Sequence, residues 1–306
     1  MAKITAAMVK ELRETTGAGM MDCKKALTAT DGDKEKAIDW LREKGISKAE
    51  KKAGRIAAEG AVAAYISDDA KVGVLVEVNC ETDFAAGNEQ FRALEEKIAK
   101  HIAATNPADL DALNASEIDG KTVAALVTEA TATIGEKISL RRFVRYESEG
   151  RVASYIHMGG KIGVLVNLEV SGGIDATVIG KDIAMQIAAL NPRFWDKSQV
   201  SEDVLAEEKK ILVAQMDNDE KMASKPLQVK EKIAAGKMNK FFEENCLVDQ
   251  AFVKENKTSV SKYVDAKAKE LGGTISIKNF ARFEKGEGLA KREDDFAAEV
   301  AAMAKK

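Results

Sequence analysis

The sequence predicts an α+β fold in which small antiparallel sheets and helices form a core that occurs twice. The main observation is an internal repeat, because residues 59–76 align with residues 149–166 at a constant offset of 90, with eleven of eighteen positions identical. Both copies alternate apolar with small or polar residues around a short turn, at Asp68-Asp69 or Gly159-Gly160, which is typical of a β-hairpin. Apolar residues three and four positions apart before, between and after the copies predict helices.

Residues 1–55 are predicted to form a compact module of three short helices. Thr5 is placed to cap the first helix, and Gly17 follows its last apolar residue, where a left-handed residue ends many helices. A turn at residues 31–33 precedes the third helix and supplies its cap. The polar and basic stretch Ser47–Arg55 is predicted to be a linker to the core.

Two further matches extend the repeat beyond the hairpins. Ile98–Pro107 aligns with Ile183–Pro192 at an offset of 85, and both segments are predicted helices that end at Asn-Pro. Ile138–Glu147 aligns with Ile275–Glu284 at an offset of 137. Each unit is therefore predicted to run hairpin, helix, helix, strand.

The changes in offset locate what differs between the two predicted core repeats, 56–148 and 149–285. The second copy is five residues shorter at the place where the first carries residues 81–84. It is longer by about fifty residues farther on, and helical spacing at about 200–245, interrupted at Ser224–Pro226, predicts an inserted antiparallel helical hairpin of coiled-coil type. Residues 286–306 are predicted to form a C-terminal helical module with Phe296, Val300 and Met303 as its apolar stripe.

Composition excludes several classes of function. The net charge of −3 comes from interspersed acidic and basic residues, without the basic face of a nucleic-acid-binding protein, so no direct contact with nucleic acid is predicted. No run approaches the roughly 18 apolar residues of a membrane helix, and the charged N-terminal segment is no signal peptide. The three separated cysteines predict reduced thiols, with neither a disulfide framework nor a zinc site. We therefore predict a cytoplasmic protein that needs no metal or cofactor.

The stretch Lys71–Phe91 joins a predicted buried strand to a chemically unusual loop. Apolar residues alternate up to Asn79, where the strand is predicted to end, and the loop then presents Asp83 beside Phe84 before Gly87-Asn88 breaks the run. A carboxylate next to an aromatic ring on a loop is not the chemistry of a core. This pair is predicted to contact a partner.

Two motifs resemble signatures of the elongation factor Ts family. Leu12–Leu27, LRETTGAGMMDCKKAL, matches the N-terminal signature throughout, and Glu77–Asn88, EVNCETDFAAGN, matches the second signature up to Phe84. The family usually has a valine where this chain has Ala85, and the next two residues also differ. The resemblance covers the whole chain and implies a ubiquitin-associated-like (UBA-like) N-terminal module before the duplicated core.

The resemblance implies a guanine-nucleotide exchange factor for elongation factor Tu, which promotes GDP release during translation elongation by displacing Mg²⁺ and stabilising the nucleotide-free GTPase. Such a protein is not an enzyme and has no catalytic residues. The residues that the resemblance assigns to Mg²⁺ displacement are Thr82, Asp83, Phe84 and Ala85. Those that it assigns to binding the partner are Leu12, Arg13, Met20, Met21 and His157.

Simpler interpretations of the same residues stay open at this point. Asp83 and Phe84 can be a helix cap and a core aromatic, Met20-Met21 can be core, and His157 can be a solvated turn residue. An adaptor protein and a hydrolase with Cys80 as nucleophile are the rival functions, although no histidine is near Cys80 in sequence. A homodimer through the core or the helical hairpin is also compatible with the sequence.

Overall fold

The structure, a computed structural model, describes residues 4–290 and confirms the α+β class. The predicted C-terminal apolar stripe of Phe296, Val300 and Met303 lies outside the described residues. Within residues 4–290, none of the helices is both long enough and apolar enough to cross a membrane. The predicted domain limits at 55, 148 and 285 stay predictions, and the elements are grouped below by their contacts.

The N-terminal module consists of three helices around a small apolar core. Thr5 caps the first helix by accepting a hydrogen bond from the Met8 amide at 3.3 Å, and Gly17 ends it in the left-handed region, with φ of 66°. The Asp33 side chain caps the third helix by accepting from the Lys36 amide at 3.1 Å. These caps are the ones that the sequence predicts. The helices are α1 (Ala6–Thr16), α2 (Met20–Ala29) and α3 (Lys34–Lys52).

Unit one contains a three-stranded antiparallel sheet in the order β1-β2-β5, with helices on one face. Apolar side chains on that face of the sheet pack against α5 and α7 in one continuous core. The elements are β1 (Glu59–Ile66), β2 (Val72–Cys80), α4 (Asp83–Ala86), α5 (Glu89–Thr105), α6 (Leu110–Ala115), β3 (Glu117–Ile118), β4 (Lys121–Thr122), α7 (Val123–Ile134) and β5 (Ser139–Glu147).

Unit two repeats this arrangement with the sheet order β10-β7-β6. Both units contain a hairpin, a helix, a second helix and a strand in that order, with further helices between them, and a short strand pair precedes the second helix of each. The elements are β6 (Arg151–His157), β7 (Ile162–Ser171), α8 (Thr177–Leu190), α9 (Glu202–Asp217), α10 (Leu227–Asn245), β8 (Ala251–Phe252), β9 (Glu255–Ser259), α11 (Val260–Glu270) and β10 (Thr274–Glu284).

Two local predictions are wrong, and tertiary contacts explain both. The segment predicted as a linker from Ser47 is helical through Lys52, because α3 packs along α7 and its Lys48 forms an ion pair with Asp22 at 2.7 Å. Strand β2 does not end at Asn79 but continues to Cys80, since Asn79 still pairs with β1 and β5 and its buried amide donates to the Glu59 carbonyl.

The inserted helical hairpin consists of α9 and α10, and their contacts show that they run antiparallel. Lys230, near the start of α10, forms an ion pair with Asp217 at the end of α9, at 2.5 Å. At the other end, Phe241 and Val204 belong to one apolar cluster at the base of the hairpin. The segment that the sequence predicts to be an insertion thus forms a pair of packed helices.

The two sheets pack face to face through reciprocal contacts. A Cβ atom on Gly73 of β2 would lie 2.4 Å from Val152 of β6, and one on Gly163 of β7 would lie 2.4 Å from Val62 of β1. Each hairpin turn also accepts a hydrogen bond from the first strand of the other unit. The Val62 amide of β1 donates to the Gly160 carbonyl, and the Val152 amide of β6 donates to the Ala70 carbonyl, both at 2.8 Å. The units therefore face each other about an approximate twofold axis, and the glycines set the close distance between them.

A buried carboxylate on β2 joins unit one to the chain after unit two. Glu77 is fully buried and accepts from Arg141 at 2.8 Å, from Arg142 at 2.6 Å and from the Gly286 amide at 2.8 Å. Burial raises the pKa of the Glu77 carboxyl, but the amide and the two guanidinium groups outweigh burial and hold that pKa below its ordinary value. The equivalent position in unit two is Asn167.

We expect Gly73→Ala to lower the free energy of unfolding by about 1–3 kcal/mol, because the added methyl group enters space filled by Val152. Urea denaturation measures this change. Gly236→Ala is the matched control, since Gly236 lies in α10 with open space around it and alanine favours a helix by up to about 1 kcal/mol. Adding Val152→Ala to Gly73→Ala should recover part of the loss. Equal stability of Gly73→Ala and Gly236→Ala would contradict the packing argument.

Candidate functional site

The short helix α4, which follows β2, is held at its start by hydrogen bonds of the Thr82 hydroxyl and amide. The Thr82 hydroxyl accepts from the Ala85 amide at 3.2 Å and donates to a carboxylate oxygen of Glu136 at 2.7 Å. The Thr82 amide donates to the second oxygen of the same carboxylate at 2.9 Å. Glu136 follows α7, so the start of α4 is attached to a distant part of unit one.

Glu81, the residue before Thr82, adds a second set of contacts that hold the start of α4. The Glu81 carboxylate accepts from the Lys137 amide at 2.6 Å and forms an ion pair with Arg55 at 3.3 Å. The buried strand end at Cys80, the Glu81 contacts and the Glu136 carboxylate together fix where this turn lies. The element is therefore rigid before anything binds to it.

One side of this braced turn faces the core and the other faces solvent. Ala85 and Ala86 are buried in the core of unit one, whereas the Phe84 side chain is 88% exposed. Asp83 is also exposed, and its carboxylate makes no hydrogen bond or ion pair with any residue in the described part of the chain. Leaving a phenylalanine in water forgoes about 1.5–3 kcal/mol of burial. An aromatic ring held outward on a rigid support indicates a binding surface.

The predicted N-terminal contact residues divide by burial. Leu12 is fully buried in the core of the N-terminal module, whereas Arg13, Met20 and Met21 are exposed. Arg13 and Met20 line one concave region together with Gln90, which lies in the first turn of α5. The side chains of Arg13, Met20 and Met21 are therefore accessible to a partner, and that of Leu12 packs beneath them.

His157 is the last residue of β6, and the turn that follows it contacts α5. His157 is exposed, and its Nδ1 atom lies 3.0 Å from the Tyr155 hydroxyl. Arg92 of α5 donates to the carbonyl of Gly159 in this turn at 2.8 Å. The first two turns of α5 thus contact both the N-terminal module and the turn of unit two, and α4 immediately precedes them. The structure brings all three predicted contact regions around one helix end.

The sequence does not predict the contacts of three residues in this arrangement, Arg92, Glu95 and Glu136. Glu95 is only 1% exposed, and burial raises its pKa to about 7, partly offset by the nearby Arg92 guanidinium at 3.2 Å. One signal was present, because Glu95 follows Phe91 by four residues and so falls on the apolar face of α5. Arg92 and Glu136 carry no such local signal.

Cys80 does not have the environment of a nucleophile. It is fully buried and its thiol donates to the Thr82 carbonyl at 3.0 Å. Burial and the nearby negative charge of Glu136 raise the pKa of this thiol to about 12, so it stays protonated at neutral pH. Among the residues that the structure describes, no group of three His, Cys, Asp or Glu side chains is placed to hold a metal ion.

The fold and the site define a class: an α+β protein with a duplicated core that exposes an acidic-aromatic turn on a support held by hydrogen bonds and ion pairs. The family model described as Elongation factor TS matches residues 81–287. A protein of Clostridium perfringens (strain SM101) named Elongation factor Ts is 51% identical over 304 residues, covering 98% of this chain and 99% of its own length. The chain belongs to the elongation factor Ts family.

Relatives from other bacteria match over the same length. The Elongation factor Ts of Trichlorobacter lovleyi is 49% identical over 311 residues and covers 98% of each chain. That of Syntrophotalea carbinolica is 50% identical over 308 residues, which is 99% of this chain and all of its own. The similarity therefore includes the N-terminal module and the inserted hairpin as well as the core.

We expect Glu95→Gln to change how stability depends on pH. The folded-state pKa of about 7 lies above the ordinary 4.5, so the carboxyl favours folding most below pH 4.5, and this contribution is lost as pH rises to 7. Glutamine does not titrate. Relative to that of wild type, the unfolding free energy of Glu95→Gln should therefore increase by about 3 kcal/mol between pH 4.5 and pH 7, because each unit of pKa difference corresponds to about 1.4 kcal/mol.

Urea denaturation at several pH values between 4.5 and 8 measures this difference. Glu96→Gln is the control on the same helix, since Glu96 is exposed and its hydrogen bond to Lys100 lowers its pKa, so its difference should have the opposite sign. A difference between Glu95→Gln and wild type that does not vary with pH would show that Glu95 titrates normally.

Proposed function

We propose that this protein is a guanine-nucleotide exchange factor for elongation factor Tu and acts in translation elongation. Membership of the elongation factor Ts family supports this function. The observation that carries it is the exposed Asp83-Phe84 pair on a turn braced by Thr82, Glu81 and Glu136. The protein acts by binding alone, so no covalent bond forms or breaks on it, and the predicted cytoplasmic location suits this role.

Exchange requires the factor to prefer one state of its partner. A GTPase holds its nucleotide through phosphate-loop amides and a bridging Mg²⁺ ion. Coupling between two ligands of one protein is reciprocal. If the factor binds the nucleotide-free GTPase more tightly than the loaded GTPase, the factor therefore weakens the affinity of the GTPase for its nucleotide by the same ratio. Accelerating release about ten-thousandfold needs about 5.5 kcal/mol of such differential binding. The contacts of the factor must therefore be made mainly in the nucleotide-free state.

Phe84 is the main source of this differential binding. Its ring is already exposed and its support is already ordered, so little ordering free energy is lost when the ring enters the partner. Insertion of the ring beside the Mg²⁺-bearing elements of the GTPase favours the arrangement in which those elements have moved. Burying one aromatic side chain supplies about 2–3 kcal/mol of the required difference.

Asp83 contributes by stabilising the displaced arrangement, and it is not a metal ligand. Mg²⁺ binds to six oxygen ligands with octahedral geometry, and one isolated carboxylate is a poor site for it. The carboxylate of Asp83 is free to accept hydrogen bonds from the partner once the Mg²⁺-bearing elements move. Thr82 and Ala85 support Asp83 and Phe84 without being exposed themselves, since Thr82 caps the turn and Ala85 packs in the core.

The other predicted contacts hold the factor in place. Arg13, Met20 and Met21 are exposed on the N-terminal module and bind the GTPase domain, supported by the buried Leu12. His157 makes a further contact next to the turn that Arg92 of α5 holds. Several contact points on one rigid frame fix the direction from which Phe84 approaches.

We expect wild-type protein to accelerate the release of fluorescent GDP from elongation factor Tu. Phe84→Ala should lower this exchange rate by about thirtyfold, which corresponds to the roughly 2 kcal/mol of an interface hot spot. Asp83→Ala should also lower it. Because the Phe84 ring is 88% exposed, its removal should change the unfolding free energy by no more than about 0.5 kcal/mol.

Leu271→Ala is the control, since Leu271 is another exposed apolar residue and lies at the end of α11. Its exchange rate should equal that of wild type. If Phe84→Ala and Asp83→Ala both exchange at the wild-type rate, the acidic-aromatic turn does not act in exchange. If wild-type protein leaves GDP release unchanged, the proposed function is wrong as a whole.

A further inference from the structure

The two hairpin turns occupy equivalent positions but are stabilised differently. In the first turn, the Asp69 carboxylate accepts from the Ser67 hydroxyl at 2.6 Å and from the Lys71 amide at 3.0 Å, so polar side chains hold the backbone locally. In the second turn, Met158, Gly159 and Gly160 all have positive φ values, of 46°, 63° and 100°. The Met158 side chain is 69% exposed.

The second turn is held from outside by a helix of the other unit. Arg92 of α5 donates from Nη2 to the Gly159 carbonyl at 2.8 Å. In the described part of the chain, no side chain of the turn itself bonds to the turn backbone. The position equivalent to Arg92 in unit two is Thr177, which bonds locally to Asp175 instead. The Arg92 contact is therefore an addition that breaks the symmetry of the duplicated core.

Arg92 is itself anchored by a buried carboxylate. Its Nη1 atom donates to Glu95 at 3.2 Å, and Glu95 is 1% exposed, with its other oxygen buried and unpaired. The equivalent residue in unit two is Gly180, where an added Cβ would lie 2.7 Å from Ala153. A buried carboxylate with one partner costs folding free energy, and unit two avoids this cost because it has a glycine at the equivalent position.

We propose that Arg92 is a positioning residue, anchored by Glu95, that holds the turn His157–Lys161 at a set place relative to Asp83 and Phe84, so that both elements meet the GTPase together. This inference rests on the proposed exchange function. Arg92 spans the gap because it lies near the start of α5, whose cap, Asn88, directly follows the turn of α4. His157 and Met158 supply the second contact, and Arg92 sets its distance from the first.

Hydrogen–deuterium exchange of the isolated protein tests the anchoring without any exchange assay. Arg92→Ala should increase deuterium uptake in the turn 157–161 and leave the first turn, 67–71, at its wild-type uptake. Lys100→Ala is the matched control, because Lys100 lies on an exposed face of the same helix and pairs with Glu96. Unchanged uptake at 157–161 in Arg92→Ala would overturn the proposal, whatever the protein does to a GTPase.

GDP release from elongation factor Tu tests the coupling through double variants. Arg92→Ala should slow exchange by about tenfold, as expected for the loss of a hydrogen bond to a charged group. Combined with the double substitution His157→Ala and Met158→Ala, it should cause little further loss, because the turn then has nothing left to position. Combined with Phe84→Ala, its effect should multiply.

If Arg92 only stabilises α5, the exchange rates of the combined variants should follow a different pattern. Arg92→Ala would then change the effect of Phe84→Ala as much as it changes the effect of the His157 and Met158 substitutions. Arg92→Lys keeps one donor and should restore part of the rate. If the His157 and Met158 substitutions leave exchange at the wild-type rate, the turn makes no contact and the proposal is wrong. Failure of the proposed function would appear separately, as no acceleration by wild-type protein.

Discussion

The close packing of the two hairpins, made possible by Gly73 and Gly163, is the contact on which the rest of this structure depends. A three-stranded sheet has two faces to cover, and here helices cover one while the other sheet covers the second. A side chain at either glycine would occupy the space of Val152 or Val62 and separate the sheets. Because the sheets lie so close, the turn of unit two reaches α5 of unit one, and a surface formed by both units becomes possible.

The site lies where the duplicated halves differ. Repetition supplies a frame, but unit one alone has the extra residues that form the turn at Asp83-Phe84. It also has Glu95 where unit two has Gly180, and Glu77 where unit two has Asn167. In unit one Glu77 bonds to groups in other elements and Glu95 bonds to Arg92 of its own helix, whereas the equivalent positions of unit two are uncharged. The two units thus share a backbone arrangement but differ in charge. Unit one presents the acidic-aromatic turn, and unit two supports it.

The rigidity of this surface suits a protein that works by differential binding. A side chain that must be ordered on binding loses free energy that could otherwise distinguish two states of a partner. Here the ordering is completed during folding, through the carboxylates of Glu81 and Glu136 and the cap formed by Thr82. The exposed ring of Phe84 adds little to the stability of the free protein, and the favourable burial of this ring is gained only when a partner covers it.

The sequence by itself determined the α+β class, the duplication, the helix caps at Thr5 and Asp33, and the motif containing Phe84, because these features depend on short-range periodicity and local hydrogen bonds. Only the tertiary structure decided that α3 continues through the predicted linker and that Leu12 and Ala85 are buried beneath the exposed site residues. It also decided the contacts of Glu136 with Thr82 and of Arg92 with the turn of unit two. Those groups are more than fifty residues apart in the chain, and their contacts arise only when sheets and helices pack, which no local pattern records.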